Sequence, residues 1–413
     1  MTLIKTSILT AISTVIKVIT AFVINKLVSV YIGPSGLALV GQFHNFIGMA
    51  TTFATGGINA GVVKYIAEDN NEKNKSRIFS SALVITLSSS LLTGAVVIIG
   101  ASYFSQLILN TIEYKNVFLI FGVTVVFFAL NSFLLSVLNG QGEIKKLVYT
   151  NIAGSVFLLV LTSLLIVQLG LLGGLYAMGL NQSVVFIVTL GFVTKSSWFK
   201  LEKFILGLDK ESTRKLSHYT LMALVSAISL PLMQLVVRNY IGENLGWDSA
   251  GYWQGISYIS TMYLLIVTTS LGVYYLPKLS SLTDNKEIKD EIIGGYKIIL
   301  PIVVIMAFGV YEFRELVIQI AFSNKFLPME ELFLWQVIGD VVKIASWLLS
   351  YLVIAKSMTK VFIYTEIGFK VTFMCFAYVF INQYGLVGVT YAFALNYLLY
   401  LITMIIIFRK VFR

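Results

Sequence analysis

The chain has 413 residues, of which 57% are apolar and only 12% charged, with a net charge of +10 and a mean hydropathy of +0.86. A soluble domain carries about twice that share of charge, roughly 25%, so a set of soluble domains is excluded, and apolar runs far longer than ~10-residue strands exclude a porin-like barrel. The composition describes an all-α polytopic membrane protein, with room for roughly ten to fourteen spans of ~20 residues.

Taken in chain order, hydropathy places twelve spans at about 6–30, 36–66, 78–102, 116–138, 147–168, 172–194, 217–240, 250–275, 293–311, 332–355, 361–381 and 385–408. The first follows Lys5 and runs past Lys17 without a cleavage site, which reads as a span and not a removed signal. Connections are short except for residues 195–216, which carry Lys195, Lys200, Lys203, Lys210, Arg214 and Lys215. This predicts an N-terminal six-helix lobe over 1–196, a linker over 197–216 and a C-terminal six-helix lobe over 217–413. Alternate connections hold 21 Lys and Arg on the side of the termini and the linker, against 4 on the other. The asymmetry predicts cytoplasmic termini and a cytoplasmic linker. The positive charge is then a topology signal facing anionic lipid, and no nucleic-acid partner is needed to explain it.

The halves repeat. Tyr31-Ile32-Gly33 recurs as Tyr240-Ile241-Gly242. Lys145-x-x-x-Tyr149-Thr150-x-Ile152 recurs as Lys360-x-x-x-Tyr364-Thr365-x-Ile367, and Gly170-Leu171-x-Gly173-x-x-Tyr176-Ala177-x-x-Leu180-Asn181 as Gly385-Leu386-x-Gly388-x-x-Tyr391-Ala392-x-x-Leu395-Asn396. The last two share an offset of 215 positions. Ordered matches at nearly one offset indicate duplication. Six spans per half preserve orientation, as in parallel-repeat transporters whose lobes face each other across a central cleft.

Polar residues inside spans each need a reason, because a charge at the bilayer centre costs at least ~2.5–3.5 kcal/mol. Lys17 has Ser13, Thr14 and Thr20 nearby, and Lys26 lies on the opposite helix face, within reach of the outer headgroups. Gln42, His44, Asn45 and Asn59 mark the second span, Gln234 and Arg238 the seventh, Gln254 the eighth, and Lys297 the ninth. Each is a candidate for substrate contact in a cleft, or a polar tie between neighbouring helices. Asp340 and Lys343 are three apart and Glu366 and Lys370 four apart, so each pair shares a helix face. They read either as ion pairs that lower the insertion cost or as proton- or ion-coupling carboxylates beside a cation. The segment Gly56-Gly57-Ile58-Asn59-Ala60-Gly61 fits close helix packing or an unwound, substrate-contacting stretch, and Pro231 and Pro301 predict kinks. With one thiol, Cys375, and two histidines, His44 and His218, neither an intrachain disulfide nor a zinc site is expected. No phosphate loop of the Walker type is present. The cationic balance of the first-half spans favours an anionic solute, and no cofactor is implied beyond proton or cation coupling.

Several segments carry a family resemblance: Gly33-Pro34-x-Gly36-Leu37, Thr220-Leu221-Met222-Ala223, Trp253-Gln254-Gly255-Ile256-Ser257, Tyr275-Leu276-Pro277, Ser323-Asn324-Lys325-Phe326, Trp335-Gln336-x-x-Gly339-Asp340 and Tyr351-Leu352-Val353-Ile354-Ala355-Lys356. Over its whole length the chain resembles the Wzx-type polysaccharide flippases of the MOP exporter superfamily, the enterobacterial lipid III and O-antigen branch above all. The resemblance implies twelve helices in two MATE-like lobes and residence in the inner membrane of a Gram-negative bacterium. It implies an undecaprenyl-pyrophosphate-linked oligosaccharide, an O-antigen unit or common-antigen lipid III, as the solute moved from the cytoplasmic to the periplasmic leaflet by alternating access. It also implies a cationic cavity to which Lys17, Lys26 and Arg238 contribute, and contact with membrane lipids and an O-antigen or common-antigen polymerase complex. A cation-coupled multidrug exporter of related fold is the alternative, but it would need carboxylates that the first-half spans lack. A polymerase would need a long periplasmic loop, and a membrane scaffold would leave the intramembrane charges without a role.

Overall fold

The computed structural model describes residues 3–69, 71–205 and 207–412, and every regular element among them is helical. In chain order these are α1 (Leu3–Tyr31), α2 (Pro34–Ala54), α3 (Asn59–Glu68), α4 (Glu72–Ile99), α5 (Ala101–Leu109), α6 (Lys115–Gly140), α7 (Ile144–Thr194), α8 (Lys210–Leu245), α9 (Trp247–Ser270), α10 (Leu276–Ser281), α11 (Asn285–Glu312), α12 (Arg314–Ala321), α13 (Phe333–Ala355), α14 (Thr359–Tyr384), α15 (Val387–Ile407) and α16 (Arg409–Phe412). Residues Met1–Ile32 with Leu39–Pro231 form one compact unit, and Gly33–Ala38 with Leu232–Arg413 a second.

The helices are turned inside out relative to those of a soluble protein. On α4, Ser76, Ser80, Ser81, Thr86 and Ser90 are buried, while Leu91, Leu92 and Ile99 are 61%, 68% and 87% exposed. Water would not tolerate that arrangement, but lipid does, because hydrocarbon solvates leucine and leaves hydroxyls to bond within the bundle. Nine described helices are long and apolar enough to cross a membrane, or ten if α2 and α3, bent by 49°, form one broken span. The twelve stretches picked out by hydropathy lie in helical segments, but not one helix to each. The fifth and sixth lie together on the 51-residue α7, which is interrupted at Gly170. The eighth is α9, which carries Asp248, Gln254, Ser257, Ser260 and Thr261 and is not among the nine. The second is not one continuous helix: it breaks at residues 55–58, where Gly56 and Gly57 both take φ of +65°. There the Thr220 hydroxyl donates to the Gly56 carbonyl at 2.9 Å.

In the first unit, α4, α6 and the end of α7 enclose Ile58, Val62, Phe79, Phe133, Val137 and Phe204. Phe204 belongs to the stretch expected as a linker. It stacks on Phe79 at 5.2 Å, and the nearby Trp198 indole donates to Glu143 at 2.7 Å. Burial opposes charge on Glu143, but Lys146 and Trp198 outweigh it and hold the carboxyl below its usual range. The first turn of α8 is capped by Asp209, which accepts from the Ser212 amide at 2.8 Å and hydroxyl at 2.7 Å. Those bonds likewise hold the Asp209 carboxyl low. In the second unit, α9, α11 and α13 close around Leu264, Leu271, Ile292, Val303, Leu348 and Leu352. Gly33–Ala38 joins this unit, where the Ser35 amide donates to Asp248 at 3.0 Å.

The backbone carries the duplication. Gly170 (φ 59°, ψ −133°) breaks α7, and Gly385 (φ 65°, ψ −147°) ends α14 in the same conformation. A side chain is strained there. Three residues on, a Cβ on Gly173 would sit 2.0 Å from the Leu165 carbonyl oxygen, and one on Gly388 2.1 Å from that of Phe380. The Tyr-Ile-Gly match behaves differently. Gly33 (φ 94°) turns the chain, but Gly242 is helical, and the corresponding turn comes at Gly246 (φ 89°) after one more helical turn. We expect Gly173→Ala and Gly388→Ala each to cost about 1–3 kcal/mol by overpacking against backbone. Unfolding temperature of the detergent-purified protein checks this, and an unchanged temperature in both variants would contradict the shared tight turn.

Candidate functional site

In the first unit Lys17 lines a cavity of about 270 Å³ with Thr20 of α1, Leu135 of α6, and Thr150, Asn151, Ser155, Asn181 and Gln182 from both halves of α7. Lys17 is itself exposed, while Ser13 and Thr20 on the same helix are buried. Deeper in, the Asn131 amide donates to Gln182 Oε1 at 2.6 Å and Asn131 Oδ1 accepts from the Thr189 hydroxyl at 2.5 Å. Two atoms of lining residues, Thr150 Oγ1 and Asn181 Oδ1, are buried and have no hydrogen-bond partner among the described residues. The duplicate of Asn181, Asn396, is also without a partner at Oδ1. An unmet buried donor or acceptor costs about 1–3 kcal/mol, so these atoms require an explanation.

The other first-half candidates are scattered. Gln42 is fully buried and Asn45 is 9% exposed, whereas His44 between them is exposed. Asn59, at the start of α3, donates from its amide to Ser132 at 2.8 Å, tying α3 to α6. Lys26 is half-buried near the end of α1.

The second unit brings two candidates together. Arg238 on α8 is only 2% exposed. Its guanidinium donates to the Gln254 side-chain carbonyl on α9 and lies 5.6 Å over the Trp253 ring. An amide oxygen and an aromatic face both stabilise a buried guanidinium. Gln234, one turn earlier, is half-buried, and Lys297 on α11 is exposed. Tyr252 and Tyr258 pack edge-on against Phe326 at 6.0 Å and Phe322 at 6.2 Å.

Asp340 on α13 is fully buried. The Ser260 hydroxyl lies 2.5 Å from both carboxylate oxygens, the Tyr263 hydroxyl donates at 2.9 Å, and the Gln336 amide is 3.4 Å away. No ion pair joins Asp340 to Lys343 among the described residues. Lys343 instead points its ammonium over Trp347 at 5.0 Å and Tyr397 at 6.0 Å. Spacing alone puts Asp340 and Lys343 on one face, but the donors from α9 capture the carboxylate and the rings capture the amine. Glu366 and Lys370 pair at 3.9 Å along α14. A second cavity, of about 880 Å³, opens at the π-helical turn of residues 271–275 beside α11. It is lined by Glu287, Asp290 and Glu291 with Lys278, a charge balance that repels an anionic head group.

Residue patterning had not singled out Asn131, Thr189, Ser260, Tyr263 or the cavity pair Thr150 and Asn181. Neutral hydroxyls and amides inside a span carry little signal singly. Thr150 and Asn181 did lie in the repeated motifs, which was the clue available.

The family model of the polysaccharide biosynthesis proteins matches residues 3–283. Lipid III flippases of Escherichia coli (strain K12) and Shigella flexneri are each 31% identical over 409 residues, 97% of this chain and 96% of theirs. Among solved structures, an inward-facing MATE family multidrug transporter of the MOP superfamily is 17% identical with a TM-score of 0.79, covering 95% of this chain and 94% of that one. Lipid II flippase MurJ in its inward closed conformation is 16% identical with a TM-score of 0.73, covering 98% and 87%. The chain is thus a multi-pass, all-helical membrane protein with the MOP superfamily fold, and it belongs to the polysaccharide biosynthesis protein family.

Proposed function

We propose that this protein is a flippase that moves an undecaprenyl-pyrophosphate-linked oligosaccharide, an O-antigen unit or lipid III, from the cytoplasmic to the periplasmic leaflet by alternating access. The observation that carries the reading is 31% identity over 97% of the chain to the lipid III flippase of Escherichia coli. On this reading it is a transporter of the Gram-negative inner membrane with both termini cytoplasmic, and an O-antigen or common-antigen polymerase complex receives its product. The 21-to-4 distribution of Lys and Arg supports the orientation.

The chemistry is consistent. A diphosphate and its sugars cannot enter ~30 Å of hydrocarbon without replacement of their water. Arg238, a guanidinium buried beside Gln254 and Trp253 in the second unit, is of the chemical type that recognises phosphate, and Lys17 of the first unit is a cation among hydroxyls and amides. We assign Asp340 to ion coupling: it is a fully buried carboxylate held by side-chain donors of α9 and α13, with no ion pair within salt-bridge distance among the described residues. The likeness to MATE transporters favours one rival, drug export, which efflux measurements on the same strains would reveal.

The test is complementation of two bacterial strains, one lacking its O-antigen flippase and one its common-antigen flippase, with surface glycan read on gels. We expect restored glycan in at least one, and a loss with Arg238→Ala that Arg238→Lys softens. Failure in both strains with the protein present in the membrane, together with drug efflux, would overturn the reading. Asp340→Asn should lower ion-gradient-driven translocation about tenfold or more, the scale of a lost charge-assisted buried bond, with membrane levels unchanged. Wild-type rates under both proton and sodium gradients would return Asp340 to a packing role.

A further inference from the structure

The cavity beside Lys17 has a composition that a diphosphate site does not explain. We infer that the first unit uses it to bind one sugar residue of the head group, a reading that rests on the proposed flippase function. Thr150 and Asn181 line it, and their Oγ1 and Oδ1 atoms are buried without a partner among the described residues. Thr150 is fully buried and Asn181 is 6% exposed, so both are withdrawn from bulk solvent. A hydroxyl that donates to Asn181 Oδ1 and accepts from Thr150, or two neighbouring hydroxyls, satisfies both. Asn151, Ser155 and Gln182 add amides and a hydroxyl, while Ala21, Leu135 and Leu158 supply apolar wall. Apolar faces with hydroxyl edges describe a pyranose ring. Lys17, the one charged residue among the described lining residues, can donate to a ring, acyl or carboxylate oxygen. At about 270 Å³ the space falls just below the ~300–1,000 Å³ that takes a drug-sized ligand, which suits a single ring and not an oligosaccharide.

The duplicate half keeps Thr150 and Asn181 as Thr365 and Asn396, the latter also without a partner at Oδ1, but replaces the rest of the lining. At the offset of 215 positions, Gly154 becomes Phe369, Asn151 becomes Glu366, Ser155 becomes Lys370, and Gln182 and Val185 become Tyr397 and Tyr400. Those rings pack on one another, Phe369 to Tyr400 at 4.8 Å and Tyr397 to Tyr400 at 6.3 Å, beside the Glu366–Lys370 pair. The same helical frame therefore carries aromatic and ionic packing in one half and a neutral polar cavity in the other.

The experiment measures equilibrium binding of farnesyl diphosphate to the purified full-length protein, and of the same diphosphate carrying glucose, galactose, N-acetylglucosamine or N-acetylgalactosamine. We expect at least one sugar to bind about tenfold more tightly than the bare diphosphate, the scale of one good buried hydrogen bond. Thr150→Val and Asn181→Leu should remove that gain and leave the bare affinity unchanged, which also reports that they fold. Thr150→Ser should retain it. Equal affinity of the wild type for bare and glycosylated ligands, or a sugar gain that survives both Thr150→Val and Asn181→Leu, overturns the cavity assignment. If Asn181→Leu loses the bare ligand as well, Thr150→Val alone decides. A wild type that binds none of the ligands removes the flippase reading with it.

Discussion

Charge in hydrocarbon is the constraint from which the rest of this molecule follows. An isolated guanidinium or carboxylate deep in a bilayer costs several kcal/mol, and five of the charges within the helices here have identifiable neighbours. Arg238 has an amide oxygen and an indole face. Asp340 has two hydroxyls and an amide. Lys343 has two aromatic rings, and Glu366 and Lys370 have each other. Among the described residues Glu366 and Lys370 form an ion pair, whereas the contacts of Arg238, Asp340 and Lys343 named here are polar or aromatic side chains.

Duplication gave the chain two copies of one frame, and the copies diverged in their interiors. The glycines that shape the frame kept their geometry: Gly170 with Gly385, and Gly173 with Gly388. The side chains between them did not. The second half gained aromatic rings and an ion pair at positions where the first half has a glycine, amides and a hydroxyl around a cavity. Backbone constraints are inherited because a misplaced Cβ meets a carbonyl oxygen directly, whereas an interior polar site tolerates exchange as long as its hydrogen bonds are met.

Much of the architecture was legible in the sequence, because lipid reduces helix formation to a count of apolar residues and the duplication repeats its own motifs. The twelve stretches lie in helical segments for that reason, and nine or ten of the described helices are long and apolar enough to count as spans. What escaped was local. Hydropathy cannot decide that Gly56 and Gly57 break the second span, and the glycine cluster itself leaves close packing and an unwound stretch as alternatives. It could not show Phe204 folding back onto Phe79, because the charges of 195–216 mask one buried aromatic. At the site, charge was easy to find and its partners were not: Asp340 was visible as an intramembrane acid, but helical spacing pointed to Lys343, while Ser260 and Tyr263 come from a helix some eighty residues away. Neutral residues such as Thr150 and Asn181 became informative only when the structure showed them buried without partners.

Transbilayer movement itself is the most direct measurement. The purified protein is reconstituted into vesicles containing a polyprenyl-diphosphate-linked trisaccharide, and an impermeant sugar-oxidising reagent then reports which leaflet holds the head group, with the Escherichia coli lipid III flippase reconstituted in parallel. The account predicts that the protected inner-leaflet pool becomes reactive at a rate set by the amount of protein, and that the rate falls with Arg238→Ala. A protected pool that stays constant with this protein while the parallel vesicles lose theirs would contradict it.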